Sequence, residues 1–448
     1  MRDSRVKPRW SAPLAFAVAV ASLAIVAAAF AAVGDLGPKG CIDDNDTGPD
    51  TCFKSTDGLN GARAVAVSPD GKSVYVVSTA AGAIVRFDRD PATGALTPKG
   101  CIQDNDTGTD DCAESTDGLR LPFSVAVSPD GTSVYVAARG DSAITRFKRN
   151  TTSGALTPKG CVDDNDSGTD SCADSTDGLG GVNGVAVSPD GESVYAVSIT
   201  DAAIVRFDRN ATSGALRARS CIEDNDTGTG DCADSTDGLG GAFSVAVSPD
   251  SSSVYTTALD DSAVVRFERD PANGKITAKD CVDDIATGPD SCPDEVDDLG
   301  GAVGVAVSPD GGSVYVTARG ASALVRFDRK SNGKLSSRGC VMDDAASGFC
   351  SDTANGLGSP TGVAVSPDGE SVYVGANTDD DVAILKRAKS GALTPKGCVD
   401  DDTGPDDCAQ TTDGLDGALG VAVSPDGDSV YAVSVLDQAI VRFVRAAG

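Results

Sequence analysis

The chain has 448 residues, with 67 acidic against 37 basic side chains, a formal charge of −30, and no histidine. A charge of that sign and size argues against DNA, RNA and anionic membrane surfaces as partners, because long-range repulsion opposes each of them. The lack of histidine removes the usual general base near neutral pH and the commonest zinc ligand.

The chain opens with Arg2, Arg5, Lys7 and Arg9, followed by an apolar run from Leu14 to Val33. Ala29-Phe30-Ala31 is a small-x-small cleavage pattern, so residues 1–31 read as a secretory signal peptide. The run also approaches the length of a spanning helix, which makes an N-terminal membrane anchor the alternative. A strand pattern starts almost directly after Val33. That leaves no linker between a membrane helix and a folded domain, and favours cleavage. Either reading places residues 34–448 outside the cytoplasm, secreted or at the cell surface.

Beyond the leader the sequence is periodic. Ser-Pro-Asp returns with its proline at 69, 129, 189, 249, 309, 367 and 425, and a tyrosine follows six residues after each. Those seven tyrosines are all that the chain has. In one unit, 62–67 and 73–78 alternate in the manner of strands around the turn Ser68-Pro69-Asp70-Gly71. A third strand is expected at 83–89 and, after the turn Asp90–Gly94, a fourth at 95–102. Four short antiparallel strands, seven times over and without helical periodicity, describe an all-β, seven-bladed β-propeller. Gly34–Cys41 matches Gly94–Cys101, a fourth strand lacking its first three, and the C-terminus ends on a third strand at Ile440–Phe443. One strand from the start and three from the end complete the last blade and close the circle, which removes open sheet edges.

Fourteen cysteines fall as one pair per repeat: Cys41/Cys52, Cys101/Cys112, Cys161/Cys172, Cys221/Cys232, Cys281/Cys292, Cys340/Cys350 and Cys398/Cys408. An even count, one pair per unit and an export signal predict seven local disulfides. Closing each loop is worth about 2–3 kcal/mol in the chain-entropy model. These loops join the fourth strand of one blade to the first of the next and crown one rim, where recognition is expected. The partner read from the rim is a protein or a glycan.

The loop sequence Asp43-Asp44-Asn45-Asp46-Thr47-Gly48 sets oxygen ligands at alternate positions before a glycine, as calcium loops do. The candidate calcium ligands are Asp43, Asn45, Asp46, Asp163, Asn165, Asp166, Asp174, Glu223, Asn225, Asp226 and Asp234. The competing reading is a solvated turn, since Asp, Asn, Thr and Gly are all turn formers. Four arginines near the rim, Arg63, Arg120, Arg139 and Arg319, depart from what most repeats carry at those positions and are candidate anion clamps. The recurring Val-Arg-Phe of the third strand reads as structure instead, with Phe between blades and Arg paired to a nearby acid.

Val65-Ala66-Val67-Ser68-Pro69-Asp70-Gly71-Lys72-Ser73-Val74-Tyr75-Val76 resembles the YVTN-type propeller repeat, most literally at Tyr315-Val316-Thr317. Third strands ending in Arg-Phe-Asp-Arg, followed by Thr-Gly-Ala-Leu-Thr, resemble the seven-bladed lactonase family of 6-phosphogluconolactonases and carboxymuconate cyclases. That resemblance implies lactone chemistry by His, Glu and Arg around the central channel. Without histidine, and with glutamates such as Glu114, Glu192 and Glu295 in no recurring place, no catalytic residue is carried over. The leading expectation is therefore a secreted or cell-surface binding module using its acidic rim. A lactonase-like hydrolase is the alternative, and a structural envelope component the third reading.

Overall fold

The computed structural model describes residues 33–446 except 50–51, 109, 169–170, 289–291 and 407. The expected signal peptide, 1–31, lies outside the described residues, among which no helix is long and apolar enough to cross a membrane. Seven separate sheets form seven blades. The first complete blade comprises β3 (Ala62–Val67), β4 (Ser73–Ser78), β5 (Ala83–Arg89), β6 (Leu96–Asp104) and β7 (Glu114–Thr116), preceded by β1 (Leu36–Asp44) and β2 (Lys54–Thr56). Closure occurs as the repeat phase demands. β1 pairs antiparallel with 439–445, Ile42 opposite Ile440, and joins 429–434 and 418–423 in one sheet.

One expectation is corrected: each blade has five strands, not four. After the disulfide loop the chain turns back along the outer edge and pairs parallel to the fourth strand, Ile102 with Glu114 and Asp104 with Thr116. Glu-Ser-Thr is too short and too polar to announce a strand; its pairing is imposed by the stapled loop that delivers it. The extra strand covers one end of the outer edge that a four-stranded blade would leave open, pairing with three of the nine residues of β6.

Hydrophobic contact runs between blades. Tyr75, Val77 and Ile84 of one blade pack on Leu119, Val134, Val136 and Phe147 of the next. The innermost strands stand so close that a Cβ on Gly304 would lie 2.2 Å from the Thr361 carbonyl oxygen, which explains their small residues. As expected, the first arginine of Arg-Phe pairs with a nearby acid: Arg86 with Asp88 at 3.3 Å, Arg326 with Asp328 at 2.6 Å.

All seven cysteine pairs are bonded within their own loops: Cys41–Cys52, Cys101–Cys112, Cys161–Cys172, Cys221–Cys232, Cys281–Cys292, Cys340–Cys350 and Cys398–Cys408. Their Cα atoms stand 5.0–5.2 Å apart. The first cysteine of each pair belongs to the long fourth strand, as Cys41 does to β1 and Cys101 to β6. The second lies just before the short fifth strand, as Cys52 does before β2 and Cys112 before β7. Each bond thus ties the outermost strand to its neighbour. Such a set of bonds belongs to an oxidising compartment, extracellular or periplasmic.

On the face opposite the disulfide loops, a polar clamp joins neighbouring blades. Tyr75 donates its hydroxyl proton to the Gly154 carbonyl of the next blade (2.6 Å) and accepts from Arg149 Nε (2.8 Å). The same guanidinium meets Asp70, in the Ser-Pro-Asp turn, at 2.9 Å, and the Gly131 carbonyl at 3.1 Å. The set recurs at every interface, from Arg89 with Tyr431 and Asp426 to Arg445 with Tyr373 and Asp368. Asp, Tyr and the last Arg of the third strand are thus one device repeated seven times.

Burial alone would raise the seven clamp carboxyls. The serine hydroxyl two residues earlier, a backbone N–H and the arginine outweigh it and hold all seven below the usual range, Asp130 at about 2. A carboxyl depressed in the folded state contributes stability that is present above the unfolded value, about 3.9, and lost as pH falls through the folded one. The melting midpoint of the purified protein is therefore expected to fall steeply between about pH 4 and pH 2. A midpoint unchanged across that window in a pH series would contradict the clamp.

Candidate ligand site at the mouth of the channel

In each innermost strand the register slips at the second residue, between Ala62 and Ala64 in β3, Pro122 and Ser124 in the next blade, and Val182 and Gly184 in the one after. A bulge re-aims a side chain. Here it turns seven residues into the channel mouth: Arg63, Phe123, Asn183, Phe243, Val303, Thr361 and Leu419. They line a cavity of about 230 Å³ together with Arg319 from the loop between second and third strands. The repeats are otherwise near copies, so this circle, with six residue types at seven positions, is where the blades stop being equivalent. Diversity at one register position is the signal that could have singled it out in the sequence.

The arginines converge there. The Arg63 guanidinium carbon sits 3.8 Å from the centroid of the Phe123 ring, and that of Arg139 lies 5.2 Å from the same ring. Burial, then repulsion from Arg319 and Arg139, lowers Arg63 to about 10, so it stays cationic at neutral pH. Among the described residues, none of these three arginines forms an ion pair. Three cations held together without a partner, in a chain of net charge −30, make a local positive field suited to a small anion. Arg120 does not join them. It is exposed outside the cavity, and its backbone N–H donates to Asp141 at 2.7 Å. Phe123 was not foreseen, although it is the surface on which two guanidinium groups stack.

The acidic loops lie on the same face, farther out, and their polar groups engage one another. Asp164 Oδ1 accepts from the backbone of Asp166 (3.0 Å) and Ser167 (2.9 Å), and its Oδ2 from Leu179 (2.9 Å). The Asn45 amide donates to Asp57 at 2.8 Å, the Asn225 amide to Asp237 at 2.5 Å, and the Asn165 amide to Asp177. Asp43 and Asp163 are buried beneath the loops, whereas Asp46, Asp166 and Asp226 are exposed at the tips. Glu223 accepts from the Gly230 N–H at 2.9 Å. Asp174 and Asp234 begin the short fifth strand and face solvent.

The paired cysteines do not contribute to the ligand cavity. Cys52, Cys112, Cys172, Cys232 and Cys292, like the thiols they are bonded to, lie outside the channel mouth. Cys292 packs instead in the apolar core between blades, and Cys52 and Cys112 lie at the edge of such cores. They are the staples that the spacing predicts, each tying the loop to the fourth strand.

The fold and mouth together define a closed seven-bladed propeller with a ligand-sized cavity at one end of its axis. The family model described as "Lactonase, 7-bladed beta-propeller" matches residues 43–232 and 235–400, and the chain belongs to that family. No protein of curated function matches the sequence. Among solved structures, a putative 6-phosphogluconolactonase from Bacteroides fragilis is 19% identical, with a TM-score of 0.52 over 74% of this chain and 82% of that one. The periplasmic gluconolactonase of Pseudomonas aeruginosa is 18% identical, with a TM-score of 0.54 over 77% and 86%. Hydrazine synthase from Kuenenia stuttgartiensis is 16% identical and scores 0.55 over 88% and 98%. At such identities these likenesses speak for the fold alone.

Proposed function

We propose that the protein is an exported lactonase that binds an anionic sugar-acid lactone at the channel mouth and opens it. The observation that carries this reading is the gathering of Arg63, Arg139 and Arg319, the first two against the Phe123 ring, in a chain of the lactonase family. Guanidinium groups bind carboxylate or phosphate in bidentate fashion and stabilise the oxyanion that develops on a lactone carbonyl. Hydroxide adds to the carbonyl carbon, and the bond between that carbon and the ring oxygen breaks. The released alkoxide takes a proton from water, leaving a hydroxy-carboxylate. Among the described residues no carboxylate lines the cavity, and the chain has no imidazole, so its own residues hold and polarise the substrate while solvent hydroxide attacks.

A pH-stat assay over neutral and 6-phosphorylated aldonolactones tests this. The enzymatic rate above the spontaneous one is expected to favour the anionic lactone, with kcat/KM rising about tenfold per pH unit between about pH 6 and 9. No acceleration of any lactone would overturn the activity, and a bell-shaped profile with a limb near neutrality would overturn hydroxide attack. The acidic rim supports a second reading, recognition of a protein or glycan. On the disulfide loops Phe53 is 96% exposed and Phe349 81%, large apolar surfaces more usual at interfaces than on free loops.

A further inference from the structure

The third strand of six blades begins with a fully buried alanine, at positions 83, 143, 203, 263, 323 and 439. In the sixth blade that residue is Asp381, and it too is 0% exposed. Its Oδ1 has no hydrogen-bond partner, and neither does Oδ1 of Asp400, directly opposite on the adjacent strand. Oδ2 of Asp381 lies 3.4 Å from the sulfur of Cys408, which is bonded to Cys398 and has no proton to donate. A buried carboxylate without a donor is unstable unless it is neutralised.

Other carboxylates surround it. Asp343 of the fifth blade, with Asp379 and Asp406 of the sixth, each offer an oxygen, all within 4.8 Å of one another. The Gly356 N–H donates to Asp406 Oδ2 at 2.9 Å, and a Cβ on Gly356 would lie 2.3 Å from Asp381 Oδ2, so the same stretch of backbone covers both groups. No lysine or arginine among the described residues forms an ion pair with Asp343, Asp379, Asp381 or Asp400. Burial, and then the neighbouring carboxylates, push Asp381 well above the ordinary range, Asp379 to about 7 and Asp400 to about 6.

We propose that the interface of the fifth and sixth blades binds a divalent cation of the calcium class through Asp343, Asp379, Asp381 and Asp406, with Asp400 behind them. The donor set is entirely hard oxygen, and the chain has neither a histidine nor, among the described residues, a free thiol to select a softer metal. Three carboxylate oxygens within 4.8 Å of one another, with the buried Asp381 beside them under the same Gly356 backbone, suit calcium, which accepts irregular all-protein cages, better than magnesium, which keeps its waters. The site is built by replacing the alanine of the other blades, and is distinct from the acidic loops of the first four repeats.

Calcium is added to chelator-treated full-length protein while its melting midpoint is read, because a ligand specific to the folded state raises that midpoint. Millimolar calcium raises the wild-type midpoint by several degrees and leaves that of Asp381→Ala unmoved. In chelator Asp381→Ala melts no lower than wild type, since it restores the residue its sister blades carry, so loss of response is not loss of fold. Asp163→Ala with Asn165→Ala retains the full response. Calorimetric titration gives one calcium per wild-type chain, and Asp406→Asn weakens it by at least about tenfold, as loss of one charged ligand should. A wild-type midpoint indifferent to calcium, or an equal rise in Asp381→Ala, overturns the proposal.

Discussion

Replacing Arg269 by methionine is expected to destabilise the propeller by about 3 kcal/mol or more, the cost of breaking a buried, hydrogen-bonded ion pair from one side. Arg269 is 1% exposed and serves four partners: Asp190 at 2.8 Å, Tyr195 Oη at 2.7 Å, the Ser251 carbonyl at 3.0 Å and Ser193 Oγ at 3.2 Å. Methionine fills the volume but satisfies none of them. Asp190 is 27% exposed and turns to water, which keeps the loss below that of a fully enclosed pair. Tyr195→Phe removes a hydroxyl that donates to Gly274 at 2.6 Å and accepts from Arg269, for about 1–2 kcal/mol. Arg338→Met, on a half-exposed arginine paired with Asp328, is the control, at about 1 kcal/mol or less. Denaturant midpoints of the three variants give the order. A fall for Arg269→Met no larger than for Arg338→Met would show that the clamp does not hold the blades.

The second large effect is on binding. Arg63→Leu removes the most enclosed of the three clustered guanidinium groups, and a hydrogen bond between charged partners is worth about 1.5–3 kcal/mol. The affinity for 6-phosphogluconate should therefore fall by about 10- to 150-fold. Phe123→Leu removes the stacking surface under Arg63 and Arg139, and a smaller loss, about twofold to fivefold, follows from a cation–π contact of about 0.5–1 kcal/mol. Arg120→Ala leaves affinity unchanged, since that side chain stands outside the cavity. The melting midpoint of Arg63→Leu does not fall, because Arg63 carries no ion pair and is repelled by its two neighbours. Equal affinities for wild type and Arg63→Leu in a calorimetric titration would remove the mouth from consideration.

Much of the architecture is written in the repeat itself. The turn Ser68-Pro69-Asp70-Gly71, the paired cysteines and the split last blade follow from local chemistry and period, and each reappears in the folded chain. What the period conceals is anything made between blades. Asp70 and Tyr75 meet Arg149, 79 and 74 residues away, and no local pattern joins them. Their shared recurrence, with every tyrosine of the chain in one role, was the available sign. The fifth strand escaped notice because pairing comes to Glu114–Thr116 from the loop and not from its composition. Arg63, Arg139 and Arg319 drew notice as departures from the repeat, and the folded chain brings these three together. The same rule applied to Asp381 among alanines would have found that residue too, and the variety at the position of Phe123 would have pointed to the first strands. In a chain of near copies, function is sought where one copy differs.

The most direct test of the ligand site is the crystal structure of the protein with 6-phosphogluconate bound. The anionic end of the ligand is expected at the channel mouth, against Arg63 and Arg319 and over the edge of Phe123. Ligand held only among the disulfide loops, with the channel mouth empty at saturating concentration, would contradict it.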